Sequence, residues 1–234
     1  MVPDRAYFAA QRRFAERWAA LASVPIETAY LECTTWYLQA AGLGREFDPD
    51  HPTWQKLVAE VRAAADPDSV VHAAALRNEP EVSPGPVLDW AWEPDDLCVR
   101  IHFFSERSSD GHPLARRHLL ERQSELRDLL RRAAFEHPDA AWLRGRSWLY
   151  ALEAYRRIFP EVFVAGLEPR APDLQFLACW GQLLDGAWRT RTDVESSLLQ
   201  AVELASTPDE LEAAFPYSMQ QSRVPFSEIA ATAL

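Results

Sequence analysis

The residues of this chain most able to do chemistry gather at 143–147, Leu-Arg-Gly-Arg-Ser. Arg144, Gly145, Arg146 and Ser147 read as a turn where a short strand becomes a helix starting at Trp148, with Ser147 as its N-cap. A helix start offers unpaired N–H groups and positive potential. Two arginines can clamp a phosphate or carboxylate, and a glycine lets the backbone approach it closely. Arg144, Gly145, Arg146 and Ser147 are therefore the expected ligand-binding residues for a small anion. Arg100 and His102 stand two apart in Cys-Val-Arg-Ile-His-Phe, on one face of a predicted strand. If that face is covered, the pair needs a partner or a ligand. Arg100 is expected to join the anion site, and His102 to act there as general acid or base.

Other chemistries fail on residue type or order. Gly145-Arg146-Ser147 matches the first half of a nucleophile elbow, but Leu149 replaces the second glycine, and no histidine follows His137. The Ser, Asp, His order of an α/β-hydrolase is thus excluded. His102, His112 and His118, with Asp110 and Glu121 nearby, match no zinc or iron spacing, so no metal site is expected. Lys56 is the only lysine and follows no glycine-rich loop, which excludes Schiff-base and P-loop chemistry. No G-x-G-x-x-G follows a strand, and no cofactor is expected.

The elements that must position these groups differ along the chain. Residues 5–21, 25–41, 54–61 and 68–77 carry apolar residues at helical spacing: Tyr7, Phe14 and Trp18; Ala29, Cys33 and Trp36; Trp54, Leu57, Val58 and Val61. Pro80, Pro84, Pro86 and Pro94 break the pattern around Trp90 and Trp92. A strand at 98–104 should send Val99, Ile101 and Phe103 one way and Arg100 and His102 the other. A long helix over 113–135 and a strand at 140–144 complete a crossover unit with parallel strands. Further expectations are a strand at 162–165, a hairpin around Asp185-Gly186, capping boxes at Thr192 and Thr207, and an irregular tail from Pro216. The class is α+β or α/β: a mostly helical N-terminal part packed on a small mixed sheet with a long crossover helix. The expected division is a helical part at 1–78, a Pro/Trp-rich connector at 79–97 and a mixed part at 98–234, all sharing one core.

Composition narrows the partners. With 24 basic and 35 acidic residues the net charge is −11, which argues against a nucleic-acid binder. No apolar run approaches the roughly 20 residues of a membrane span, and the N-terminus lacks a signal core, so a cytoplasmic location is expected. The three cysteines form no C-x-x-C pair and read as buried thiols. Arginine in place of lysine, with abundant alanine and proline, fits a GC-rich bacterial genome. The favoured reading is a binding protein or enzyme for a small anionic metabolite. The alternative is a non-catalytic interaction protein, whose N-terminal aromatics and Trp90/Trp92 form a partner or dimer surface.

Overall fold

A computed structural model describes residues 1–79, 85–108 and 111–233. In chain order its helices are α1 (Arg5–Ala22), α2 (Ile26–Cys33), α3 (Trp36–Gln39), α4 (Pro52–Ala63), α5 (Pro67–Arg77), α6 (Leu119–Glu136), α7 (Glu153–Arg156), α8 (Glu161–Ala165), α9 (Leu177–Trp180), α10 (Thr192–Leu204), α11 (Pro208–Glu212) and α12 (Phe226–Ala233). The strands are β1 (Leu88–Glu93), β2 (Cys98–Phe103), β3 (Trp142–Ser147), β4 (Glu168–Arg170) and β5 (Met219–Pro225). This is an α+β fold. None of the described helices is long and apolar enough to cross a membrane.

The chain divides into two compact units, Met1–Glu81 with Pro172–Pro216, and Val82–Ala171 with Tyr217–Leu234. Pro172–Pro216 therefore joins the N-terminal helices rather than the mixed part in which it was expected. Aromatic packing and one carboxylate explain why. Phe14 of α1, Trp180 of α9 and Phe215 form a three-ring cluster with centroids 5.0 to 5.4 Å apart. Asp4 caps α1 by accepting from the Tyr7 N–H at 3.2 Å, and its other oxygen accepts from the Thr190 N–H at 2.9 Å. Burial pushes the Asp4 carboxyl up, but the hydrogen bonds from Thr190, Tyr7 and Ala6 outweigh it and hold the group below the ordinary aspartate value.

The helical stripes read from the sequence are buried, including Tyr7, Phe14, Cys33, Trp36, Trp54, Leu57 and Val61. The predicted helix over 25–41 is instead two, broken at Thr34 and Thr35. The fully buried Gln11 causes the break. Its Oε1 accepts from the Thr35 N–H at 3.1 Å, and its Nε2 donates to Thr35 Oγ1 at 3.0 Å. Gln11→Leu keeps the volume but orphans the Thr35 N–H, and is expected to cost about 1–3 kcal/mol in urea unfolding. An unchanged midpoint would show that this amide does not hold the break.

In the second unit the strand order is β1-β2-β3-β5-β4, with β2 and β3 parallel and the other pairs antiparallel. Helix α6 makes the crossover between the parallel strands. One sheet face carries Leu88, Val99, Ile101, Leu143 and Val224 into a core with Leu126, Leu129 and Leu130 of α6 and with Tyr150, Tyr155 and Phe163. Trp90 and Trp92 pack at the edge of this core, and Trp92 stacks on His137 at 4.0 Å. The connector is thus partly a strand, because Asp-Trp-Ala-Trp-Glu alternates at period two between its prolines.

Four local expectations are corrected. The tail from Pro216 is no irregular end: β5 lies inside the sheet, between β3 and β4. Residues 162–165 are helical, because Pro160 opens α8 and Phe163 stacks on Phe159 one turn before it, at 4.8 Å. Asp185-Gly186 turns the chain, but only a single bridge, Leu184 to Thr190, flanks it, since the first arm is helical. The box at Thr192 does not form, as α10 begins at Thr192 itself after an Arg191 that makes no side-chain cap. Thr207 does cap α11, accepting from the Glu210 N–H at 3.2 Å.

Candidate functional site

The anion site expected at 144–147 rests on a turn, and there is no turn there. Arg144, Gly145, Arg146 and Ser147 are all residues of β3. The helix after Ser147 is a single 3-10 turn, Trp148–Ala151, whose first free amide is taken: Ser147 Oγ accepts from the Leu149 N–H at 3.1 Å. Gly145 faces the core. A Cβ there would lie 1.9 Å from Tyr150 Oη and 3.0 Å from Phe163 Cζ, so its missing side chain admits a tyrosine, not a ligand. Gly145 and Ser147 therefore leave the candidate site.

Strand alternation gathers the other four. The register pairs Arg100 with Arg144 across β2 and β3, and Arg144 with Arg223 across β3 and β5. Arg100, Arg144 and Arg223 thus form one rung over three adjacent strands, on the sheet face opposite the core. His102 and Arg146 lie two residues along from Arg100 and Arg144, on that same face. Neighbouring strands are about 4.8 Å apart, so the rung spans about 10 Å.

Like charges directly opposite one another destabilise a sheet, so the rung needs counter-charge. Glu93, at the end of β1, supplies it. Its Oε1 lies 3.1 Å from Arg100 Nε, and its Oε2 accepts from Arg144 Nη2. These three side chains are each about a quarter exposed, at 25 to 28 %. Asp96 adds a longer pairing to Arg144, at 3.9 Å. Glu93 is thus shared between two guanidinium groups of the rung. Arg223 is exposed and has no ion pair among the described residues; its guanidinium rests 4.7 Å from the centre of the Trp142 ring. Arg146 reaches across to β4, donating to the Ala171 carbonyl at 2.8 Å.

The surroundings of His102 are aromatic as well as charged. Its ring stacks on Phe104 at 5.9 Å, and Arg107 covers Phe104 at 3.8 Å. Arg107 is held in turn by the Pro86 carbonyl and Asp89, both at 3.1 Å. The face therefore combines a line of guanidinium groups with flat rings beside it.

Histidines expected to hold no metal are otherwise engaged. His118 Nδ1 lies 3.0 Å from Glu121, and His112 Nδ1 accepts from the Leu114 N–H at 3.2 Å. Asp110 lies outside the described residues. Among the described residues no group of three or more metal-ligating side chains comes together.

Sequence reasoning missed Glu93, Trp142 and Arg223. Glu93 was legible in principle, since the alternation of Asp-Trp-Ala-Trp-Glu sets it opposite the tryptophans. Arg223 had no such signal, because its strand turns Ser222 as well as Val224 toward the core and so shows no apolar alternation. The chain matches no family model, no curated protein and no solved structure.

Proposed function

We propose that this protein binds a small polyanion through the arginine rung Arg100–Arg144–Arg223, with Arg146 and His102 flanking it. The observation that carries the reading is the rung itself: three guanidinium groups in register on adjacent strands, the outermost, Arg223, exposed and with no ion pair among the described residues. Their spacing suits a ligand with two or three anionic groups about 5 Å apart, as in an oligophosphate or a tricarboxylate. Should the bound anion react, His102 is the group placed to move a proton. A small molecule is favoured over nucleic acid because the net charge of −11 opposes a long phosphate backbone. We place the protein in the cytoplasm, where its three buried cysteines stay reduced.

The interaction-protein reading draws less support: Tyr7, Phe14, Trp36 and Trp54 are core residues no more than 1 % exposed, which leaves it the half-buried Trp90 and Trp92.

Thermal unfolding with tripolyphosphate and citrate, against sodium chloride at equal ionic strength, tests the proposal. At 100 times its dissociation constant a ligand stabilises by about 2.7 kcal/mol, a shift of several degrees. Arg223→Ala, an exposed position, should leave the unliganded midpoint in place and weaken binding about tenfold. No shift with either anion, or an equal shift in the variant, removes the rung as the site.

A further inference from the structure

A cavity in the second unit lies away from the sheet face, between α6, α7 and the loop before α6. Its volume is about 50 Å³, and its walls include Leu114, Leu119, Ile158, Arg116, Arg122 and Arg157. A water needs about 10–15 Å³ of such space, so the cavity holds about three to five heavy atoms. Its lining combines apolar side chains with three arginines.

Arg122 is the informative residue. It sits in the first turns of α6, a helix whose exposed faces carry most of its charge, yet it is only 3 % exposed. A buried guanidinium is costly unless its donors are used. Glu121 accepts from Nη2, and Glu125 lies 3.2 Å from Nη1. Glu125 is committed elsewhere, accepting from the Val87 and Leu88 N–H groups at 3.3 Å each. Nη1 meets Glu125 as an ion pair without hydrogen-bond geometry, and Nε has no acceptor at all. Arg116, exposed on the same lining, has no ion pair among the described residues. Arg157 is paired with Glu153. The cavity therefore has an unused, charged donor and the exposed Arg116 among apolar lining residues, in a space too small for a large ligand.

We infer that this cavity binds a short-chain monocarboxylate, its carboxylate between Arg122 and Arg116 and its alkyl group against Leu114, Leu119 and Ile158. The carboxylate accepts from Arg122 Nε through one oxygen and pairs with the Arg116 guanidinium through the other. An alkyl group of one or two carbons fills the remaining volume. A tetrahedral phosphate satisfies the donors but leaves the apolar lining unused. The inference is independent of the arginine rung.

The test titrates the full chain with sodium propionate against sodium chloride at constant ionic strength, following the methyl resonances of Leu114, Leu119 and Ile158. Saturable shifts of all three are expected. Arg116→Ala should weaken binding at least threefold with the fold intact, and Arg122→Gln should abolish it. If Arg122→Gln fails to fold, the Arg116→Ala titration decides alone. Shifts that do not saturate, or an affinity unchanged in Arg116→Ala, overturn the site. Inorganic phosphate binding as tightly as propionate overturns the assignment to an alkyl carboxylate.

Discussion

Gly145→Ala is expected to be the most damaging small substitution in the sheet unit, costing about 3 kcal/mol or more. The position is an ordinary strand residue, and its backbone would accept alanine. The cost is steric. The new Cβ would lie 1.9 Å from Tyr150 Oη, 2.9 Å from Tyr150 Cζ and 3.0 Å from Phe163 Cζ. Tyr150 cannot swing away, because Tyr155, Phe159 and Phe163 surround its ring with centroids 4.9 to 5.7 Å distant. Burial also pushes the Tyr150 hydroxyl's pKa well up, so the group stays neutral and hydrogen-bonded to Tyr155. Equilibrium urea unfolding measures the loss. A second variant separates the clash from any general weakness of the strand. Tyr150→Phe removes the atom at 1.9 Å at a cost of about 1 kcal/mol for the lost hydrogen bond. The double variant should then be more stable than the sum of the two single losses predicts, by at least about 1 kcal/mol. Simple additivity would mean that Tyr150 is not what requires the glycine.

Glu93→Gln should separate stability from binding. Glu93 pairs with both Arg100 and Arg144 at close range. Removing its charge leaves two partly buried guanidinium groups in line with Arg223, against Asp96 at 3.9 Å from Arg144. The groups are about a quarter exposed, so water offsets part of the repulsion, and the expected loss is about 1–2 kcal/mol. On the proposed function the same change improves the site, because a bound anion no longer competes with a resident carboxylate. Tripolyphosphate should therefore stabilise Glu93→Gln by more than it stabilises wild type, with a several-fold lower dissociation constant. Calorimetric titration of both proteins reads this directly. A weaker response in the variant would mean that Glu93 organises the arginines rather than occupies them, and that the anion binds elsewhere.

The two variants probe opposite faces of one sheet, Gly145 in β3 facing the core and Glu93 in β1 facing the arginines, and their roles explain why the segment 143–147 misleads. An arginine, a glycine and a serine before an apolar helical stretch are the residue types of an anion-binding turn. They are equally the residues of a strand whose outward positions are arginine and whose inward glycine makes room for a tyrosine. Nothing local distinguishes the two. What decides is Tyr150, five residues on, folding back over Gly145.

Periodicity settled much of the chain before any coordinates. Helices α1, α4 and α5, the strand β2 with Val99 and Ile101 inward, the crossover helix α6 and the parallel pairing of β2 with β3 all follow from spacings of two or of three and four. These elements bury a regular apolar stripe, so their own residues specify them. The placing of Arg100 and His102 on one face was legible for the same reason.

Tertiary structure alone decided the rest. It broke the helix over 25–41 at a buried glutamine of another helix. It drew Pro172–Pro216 to the N-terminal helices through Trp180, Phe215 and Thr190. It buried Arg122 on a helix that reads as charged outside its apolar stripe. Above all it inserted β5, whose inward Ser222 donates to the Phe163 carbonyl at 2.7 Å, and so brought Arg223 to the end of the rung. A strand with polar residues on both faces carries no period of its own. Its place is set by backbone partners contributed from distant parts of the chain, and those exist only once the sheet has formed.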